Sequence, residues 1–131
     1  MTQSTPATDE GQTPTKAQEG IIDKKMLLRV AICAVGYELD LSSEETAQVI
    51  GKDHTFFVAD YAQDNLDLDT QKLVALLFQL HRNLSARVGH NLALMRRWMS
   101  TPNQDTGGTP KLQIRDPGQL EAIVEYFDKS S

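Results

Sequence analysis

Arg96-Arg97-Trp98-Met99-Ser100-Thr101-Pro102-Asn103, followed shortly by Gly107-Gly108-Thr109-Pro110, is the stretch whose reading decides the fold. It reads as a helix end, a hard stop and a glycine turn. Pro102 has no amide proton and pushes Thr101 away from helical angles, so a helix closes near Ser100. Gly107-Gly108 supplies backbone that tolerates positive φ. Trp98 lies one turn before the stop, where it can wedge a helix end against a loop. Helical patterning flanks this punctuation on both sides, so the expected fold is all-α. We expect a small bundle with a helix-turn-helix-like N-terminal half and a separate C-terminal helical half.

Moving outward toward the N-terminus, Asn91 to Met99 forms the helix that carries Trp98, with Leu92, Met95 and Met99 inward. Gly89 marks a break before it. Thr70 to about Arg87, capped by Asp67, carries Leu73, Leu76, Leu77, Leu80 and Leu84 at helical spacing and reads as the central core helix. Further back, Leu41-Ser42-Ser43-Glu44-Glu45 is a capping box, with Ser42 as N-cap and Glu45 three residues on. Its helix runs through Ala47 and Ile50 to Gly51. Thr55 to Gln63 reads as a second short helix, which completes a helix-turn-helix outline. Ile21 to roughly Glu38 reads as a helix with Leu28, Ile32, Val35 and Leu39 on one face. Leu27, Ala31 and Ala34 broaden that face, which predicts cover on more than one side. Cys33 on this helix reads as a small buried hydrophobe. Met1 to Gly20 has almost nothing to bury and is expected to be a disordered tail. Residues 21–66 then form the N-terminal helix and helix-turn-helix-like region, and residues 67–131 the C-terminal region.

C-terminal to the quoted stretch, Lys111 to Arg115 is short and apolar at Leu112 and Ile114. Asp116-Pro117-Gly118-Gln119 opens a final helix with Asp116 as N-cap and Pro117 as its first residue. Leu120, Ile123, Val124 and Phe127 make its buried face.

Composition narrows the function. The chain has 131 residues, 40% of them hydrophobic, and a net charge of -5. One cysteine permits no internal disulfide and suits a reducing compartment. No apolar run reaches the ~18 residues of a membrane span, and no secretory signal precedes the helices, so a cytoplasmic protein is expected. Acids collect between Leu41 and Asp64, whereas Arg82, Arg87, Arg96, Arg97, Lys111 and Arg115 lie between His81 and Arg115 with only Asp105 against them. Any partner attracted by charge meets the later segment. No catalytic triad, P-loop or dinucleotide fingerprint is present, so neither an enzyme nor a cofactor is expected. His81 and His90 are too far apart in sequence, and too isolated, to suggest a metal site.

The order Trp98-Met99-x-Thr101-Pro102-Asn103, Gly107-Gly108-Thr109-Pro110, then Asp116-Pro117-Gly118 resembles the Xre/MbcA/ParS-like toxin-binding domain of bacterial antitoxins. Leu41-Ser42-x-x-Glu45-x-Ala47 through Gly51 is similar to the Xre-type helix-turn-helix that precedes it. The resemblance covers about Leu41 to Phe127. It implies an antitoxin that docks on a protein partner, typically a RES-type toxin acting on NAD, with homodimerisation frequent and the C-terminal elements covering the toxin's active-site entrance. Here that plug would come from Tyr126 to Ser131. The partner-binding candidates are Arg96, Arg97, Trp98, Asn103, Gln104, Lys111, Tyr126, Lys129 and Ser131.

The alternative is a DNA-binding autorepressor using the helix-turn-helix, with Lys52, His54 and Thr55 as contacts, or a stand-alone adaptor without a toxin. Phosphate neutralisation dominates DNA affinity. The groove-facing part of the second helix, Asp53, His54, Thr55, Val58 and Ala59, has no Arg or Lys, and Asp60 and Asp64 would repel the backbone, which weighs against DNA. The sequence departs from the family pattern there, in a turn after Gly107-Gly108 that is one residue short, and in Lys111 where an apolar residue is usual.

Overall fold

The computed structural model describes residues 16–57 and 66–130. Among them are six helices: α1 (Lys16–Glu38), α2 (Ser43–Val49), α3 (Leu68–Arg87), α4 (Leu92–Ser100), α5 (Pro110–Gln113) and α6 (Pro117–Ser130). A 3-10 turn spans His54–Phe57, and no strand is present among the described residues. The chain is all-α. Of the expected tail at residues 1–20, residues 1–15 lie outside the described residues and residues 16–20 are helical instead; most of the expected helix from Thr55 to Gln63, and Ser131, also lie outside the described residues.

The boundaries follow local chemistry. The Ser42 hydroxyl accepts from the Glu45 amide at 3.0 Å while Glu45 accepts from the Ser42 amide at 2.8 Å, the reciprocal capping box. Asp67 accepts from the Thr70 amide at 2.8 Å and Asn91 from the Leu94 amide at 3.0 Å. Asp116 accepts from the Gly118 amide at 2.9 Å and opens α6 at Pro117. α1 begins at Lys16 rather than Ile21. Lys, Ala, Gln and Glu are good helix formers, and their propensity favours this earlier start. α1, α2 and α3 all end in a left-handed residue, Asp40, Gly51 and Gly89 respectively. In each, the next residue's amide reaches back to close the last turn: Leu41 to Gly36 O at 2.8 Å, Lys52 to Ala47 O at 2.8 Å and His90 to Ser85 O at 2.7 Å.

α3 is the hub: α1, α4 and α6 pack against it, and α2 packs on α1. A single core joins Ile32 and Leu39 of α1, Leu77, Leu80 and Leu84 of α3, Met95 and Met99 of α4, and Leu120, Ile123, Val124 and Phe127 of α6. Two expectations about exposure are corrected. The α1 face is not covered on more than one side: Leu27 is 63% exposed, and Ala31, Ala34 and Tyr37 are exposed with it. The Leu28–Ile32–Val35–Leu39 line is the apolar side of α1 that joins or packs on the core. Leu92 at the start of α4 is exposed rather than inward, because α4's buried line begins a turn later at Met95. Lys111 to Gln113 belongs to the short helix α5, which turns Leu112 out and leaves Ile114 fully buried.

Candidate partner-binding site

α4 ends as its chemistry dictates. The Ser100 and Thr101 hydroxyls donate back to carbonyls of the last turn, Ser100 to Arg96 O at 3.0 Å and Thr101 to Arg97 O at 2.6 Å. Pro102 carries the chain away. Asn103 and Gly108 then pair as an isolated antiparallel bridge, with Asn103 N donating to Gly108 O at 2.8 Å. The Asn103 side-chain oxygen accepts from the Asp105 amide at 2.8 Å. Gln113 underlies this loop and donates to Thr106 O at 2.6 Å, close enough to Gly108 that an added Cβ would sit 3.2 Å from it. Tyr126 of α6 donates its hydroxyl to Asp105 at 3.1 Å. The loop from Thr101 to Thr109 is thus clamped from both sides.

Beside the loop is an open cleft of about 340 Å³, lined by Val88, Leu94, Arg97, Trp98, Thr101, Pro102 and Asn103. Trp98 packs on the core and also lines the cleft. Its ring lies 5.2 Å from that of Phe127, which ties it to the core, and it is half-buried and borders the cleft.

The partner-binding candidates divide. Arg97, Trp98 and Asn103 come together at the cleft. Gln104 is exposed at the loop tip and Lys129 is exposed near the end of α6. Tyr126 is half-buried and bonded to Asp105. Ser131 lies outside the described residues. Arg96 and Lys111 are committed elsewhere. Arg96 reaches Asp40 at 2.8 Å, bonds the Tyr37 carbonyl and stacks over the Tyr37 ring at 4.6 Å. Lys111 reaches the other oxygen of Asp40 at 3.2 Å. They brace the C-terminal turn of α1 rather than the cleft. A third brace joins Arg115 to Glu45 at 2.8 Å. Hydrogen bonding from the Ser42 backbone amide, helped by nearby Lys111 and Arg115, holds the Glu45 carboxyl below its ordinary value. Bonding from Thr70 does the same to Asp67.

The DNA candidates are arranged differently. Lys52 is half-buried. The Thr55 amide and hydroxyl both donate to Asp53, so its polar capacity is largely spent. His54 begins the 3-10 turn. That turn is fastened to α1 by Arg29, 3% exposed, which stacks on Phe56 at 4.5 Å and donates to its carbonyl at 3.2 Å. His81 pairs with Glu38 at 2.6 Å and His90 with Ser85 at 2.7 Å. No group of three metal-ligating side chains occurs among the described residues.

Sequence reasoning missed Asp40, Arg29, Val88 and Leu94. Asp40 left one signal: Asp tolerates left-handed geometry, and it stands just past a helix and just before a capping box. Val88 and Leu94 left none, since an apolar residue beside a helix break reads as core. No helix among the described residues is long and apolar enough to cross a membrane. No protein-family model matches this sequence, and no curated protein matches it.

Proposed function

We propose that this chain is an antitoxin-like protein-binding module that docks on and neutralises a partner toxin of the RES type, an enzyme that degrades NAD. The observation that supports this reading is the open apolar cleft beside Trp98. It is built from the same Trp98–Asn103 segment on which the family resemblance rests. A half-buried tryptophan with an arginine next to it is the composition of an interface hot spot. The loop beside it is clamped, so docking costs little ordering entropy.

The C-terminal plug must be shorter than Tyr126 to Ser131. Phe127 is buried against Trp98, and Asp128 accepts from Gln79 and Asn83 at 3.4 and 3.3 Å. A segment that enters a toxin without unfolding this protein starts at Lys129.

The test is a pull-down of the tagged full chain from its native cytosol at low and moderate salt, with bound protein and DNA both analysed. We expect one stoichiometric protein that consumes NAD, and whose NAD consumption falls as this chain is added back. DNA recovered without protein would replace the reading with a transcriptional regulator acting through α2 and the turn after it. A partner that does not consume NAD would retain the docking role and end the RES assignment.

A further inference from the structure

Resting on that protein-binding reading, we propose that the Trp98 cleft takes a large apolar side chain with a carboxylate beside it, presented by an acidic segment of the partner. The floor is apolar, from Val88, Leu94, Trp98 and Pro102. The polar side chains at its edge are Arg97, Thr101 and Asn103. The Thr101 hydroxyl gives its proton to the Arg97 carbonyl. The Asn103 oxygen accepts from the Asp105 amide, and its Nδ2 has no partner among the described residues. The Arg97 side chain is exposed and makes no hydrogen bond or ion pair among the described residues. It contrasts with Arg96, Lys111 and Arg115, each of which holds a carboxylate of this chain. The side-chain donors left unspent at the cleft are therefore the Asn103 Nδ2 and the Arg97 guanidinium, and its one cation is unneutralised.

That balance selects the occupant. A guanidinium takes a carboxylate through paired parallel hydrogen bonds, which neither an amide nor a hydroxyl reproduces. A lysine would meet a like charge. A bare anion would leave the apolar floor in water, and a purely aliphatic segment would desolvate Arg97 and Asn103 without compensation. Leu94 is 46% exposed and lies three residues before Arg97 on α4, so the apolar wall and the cation stand side by side on one helix face. A volume of about 340 Å³ is at the small end for a ligand site. It suits one anchoring side chain and its charged neighbour better than a whole small molecule.

Trp98, the only tryptophan in the chain, reports occupancy through its emission. The probes are N-acetylated, C-amidated peptides with a central Phe flanked by Glu, against the same peptides with Gln or Lys at the flanks. A further Gln-flanked peptide has a free C-terminal carboxylate. We expect saturable shifts in Trp98 emission with the Glu peptide, binding weakened about tenfold or more with Gln, and none with Lys. Arg97→Gln should erase the preference for Glu over Gln. Leu94→Glu, which supplies a carboxylate to Arg97 from its own helix, should abolish binding. Both positions are exposed, and unchanged thermal unfolding of the variants verifies their fold.

The inference is overturned if no peptide changes the emission up to millimolar concentration, if the flanking charge makes no difference, or if Arg97→Gln keeps the preference. It is also overturned if only the free-terminus peptide binds, since the carboxylate would then be a chain end. The same two variants separate this from the function proposed above. A toxin captured equally well by Arg97→Gln and Leu94→Glu ends the cleft assignment and leaves the antitoxin reading intact. Glu-peptide binding with no NAD-consuming partner leaves the cleft assignment and ends that reading.

Discussion

At the residue scale, Asp40 carries the most structure for its size. It holds a left-handed backbone, φ 66°, where glycine is usual, and its carboxylate joins Arg96 and Lys111 across 56 and 71 residues of chain. Asp40→Gly relieves the backbone and loses the braces; Asp40→Ala loses the braces and keeps the strain. We expect Asp40→Ala to be the less stable of the pair by about 1 kcal/mol in urea unfolding. Equal midpoints would show that the backbone geometry carries no cost there. Glu45 sets a pH dependence. Its folded carboxyl titrates below its ordinary value of 4.5, so the capping box and the Arg115 brace contribute stability above that pH. This contribution is lost as pH falls through the folded value. Urea midpoints measured from pH 6 down to 3 should therefore converge between the native chain and Glu45→Gln at the acid end. A gap that stays constant with pH would assign the difference to packing instead.

At the element scale, the crossing of α1 on α2 depends on the absence of one methyl group. A Cβ on Gly36 would lie 2.0 Å from the Thr46 hydroxyl oxygen. Glycine inside a helix costs about 1 kcal/mol relative to alanine, and here it leaves room for the Thr46 side chain of α2 against α1. Gly36→Ala should destabilise by about 1–3 kcal/mol despite its better propensity. Adding Thr46→Ala should recover part of that loss, since it removes the nearest two of the clashing atoms. A stabilised Gly36→Ala in thermal unfolding would mean that α2 can shift freely. The turn from α3 to α4 works in the same local way. Gly89 and His90 are both left-handed, and the Ser85–His90 bond at 2.7 Å holds the second of them. That turn brings Val88 and Leu94 together at one cleft.

At the scale of the whole molecule, the Trp98–Phe127 contact joins the candidate interface to the core, so surface and stability are not independent there. Phe127→Ala should cost about 3–5 kcal/mol in urea and shift Trp98 emission to the red, with no partner present. A variant with unchanged stability would detach the cleft from the core. Removal of Tyr126 to Ser131 would take away Phe127 and so would report on folding rather than on a plug.

What the sequence determined by itself is what depends on neighbours within a turn or two. It determined the caps at Ser42, Asp67 and Asp116, the stop after Ser100, the break at Gly89 and the buried faces of α3 and α6, because hydrogen-bond geometry and helical period act locally. Tertiary structure alone decided that Leu27 and Ala31 face outward while Ile32 is covered, and that Arg96 is bound while its neighbour Arg97 is not. Burial and ion pairing are settled by segments far apart in the chain, as in Glu45 with Arg115, and no local pattern encodes which distant group will arrive.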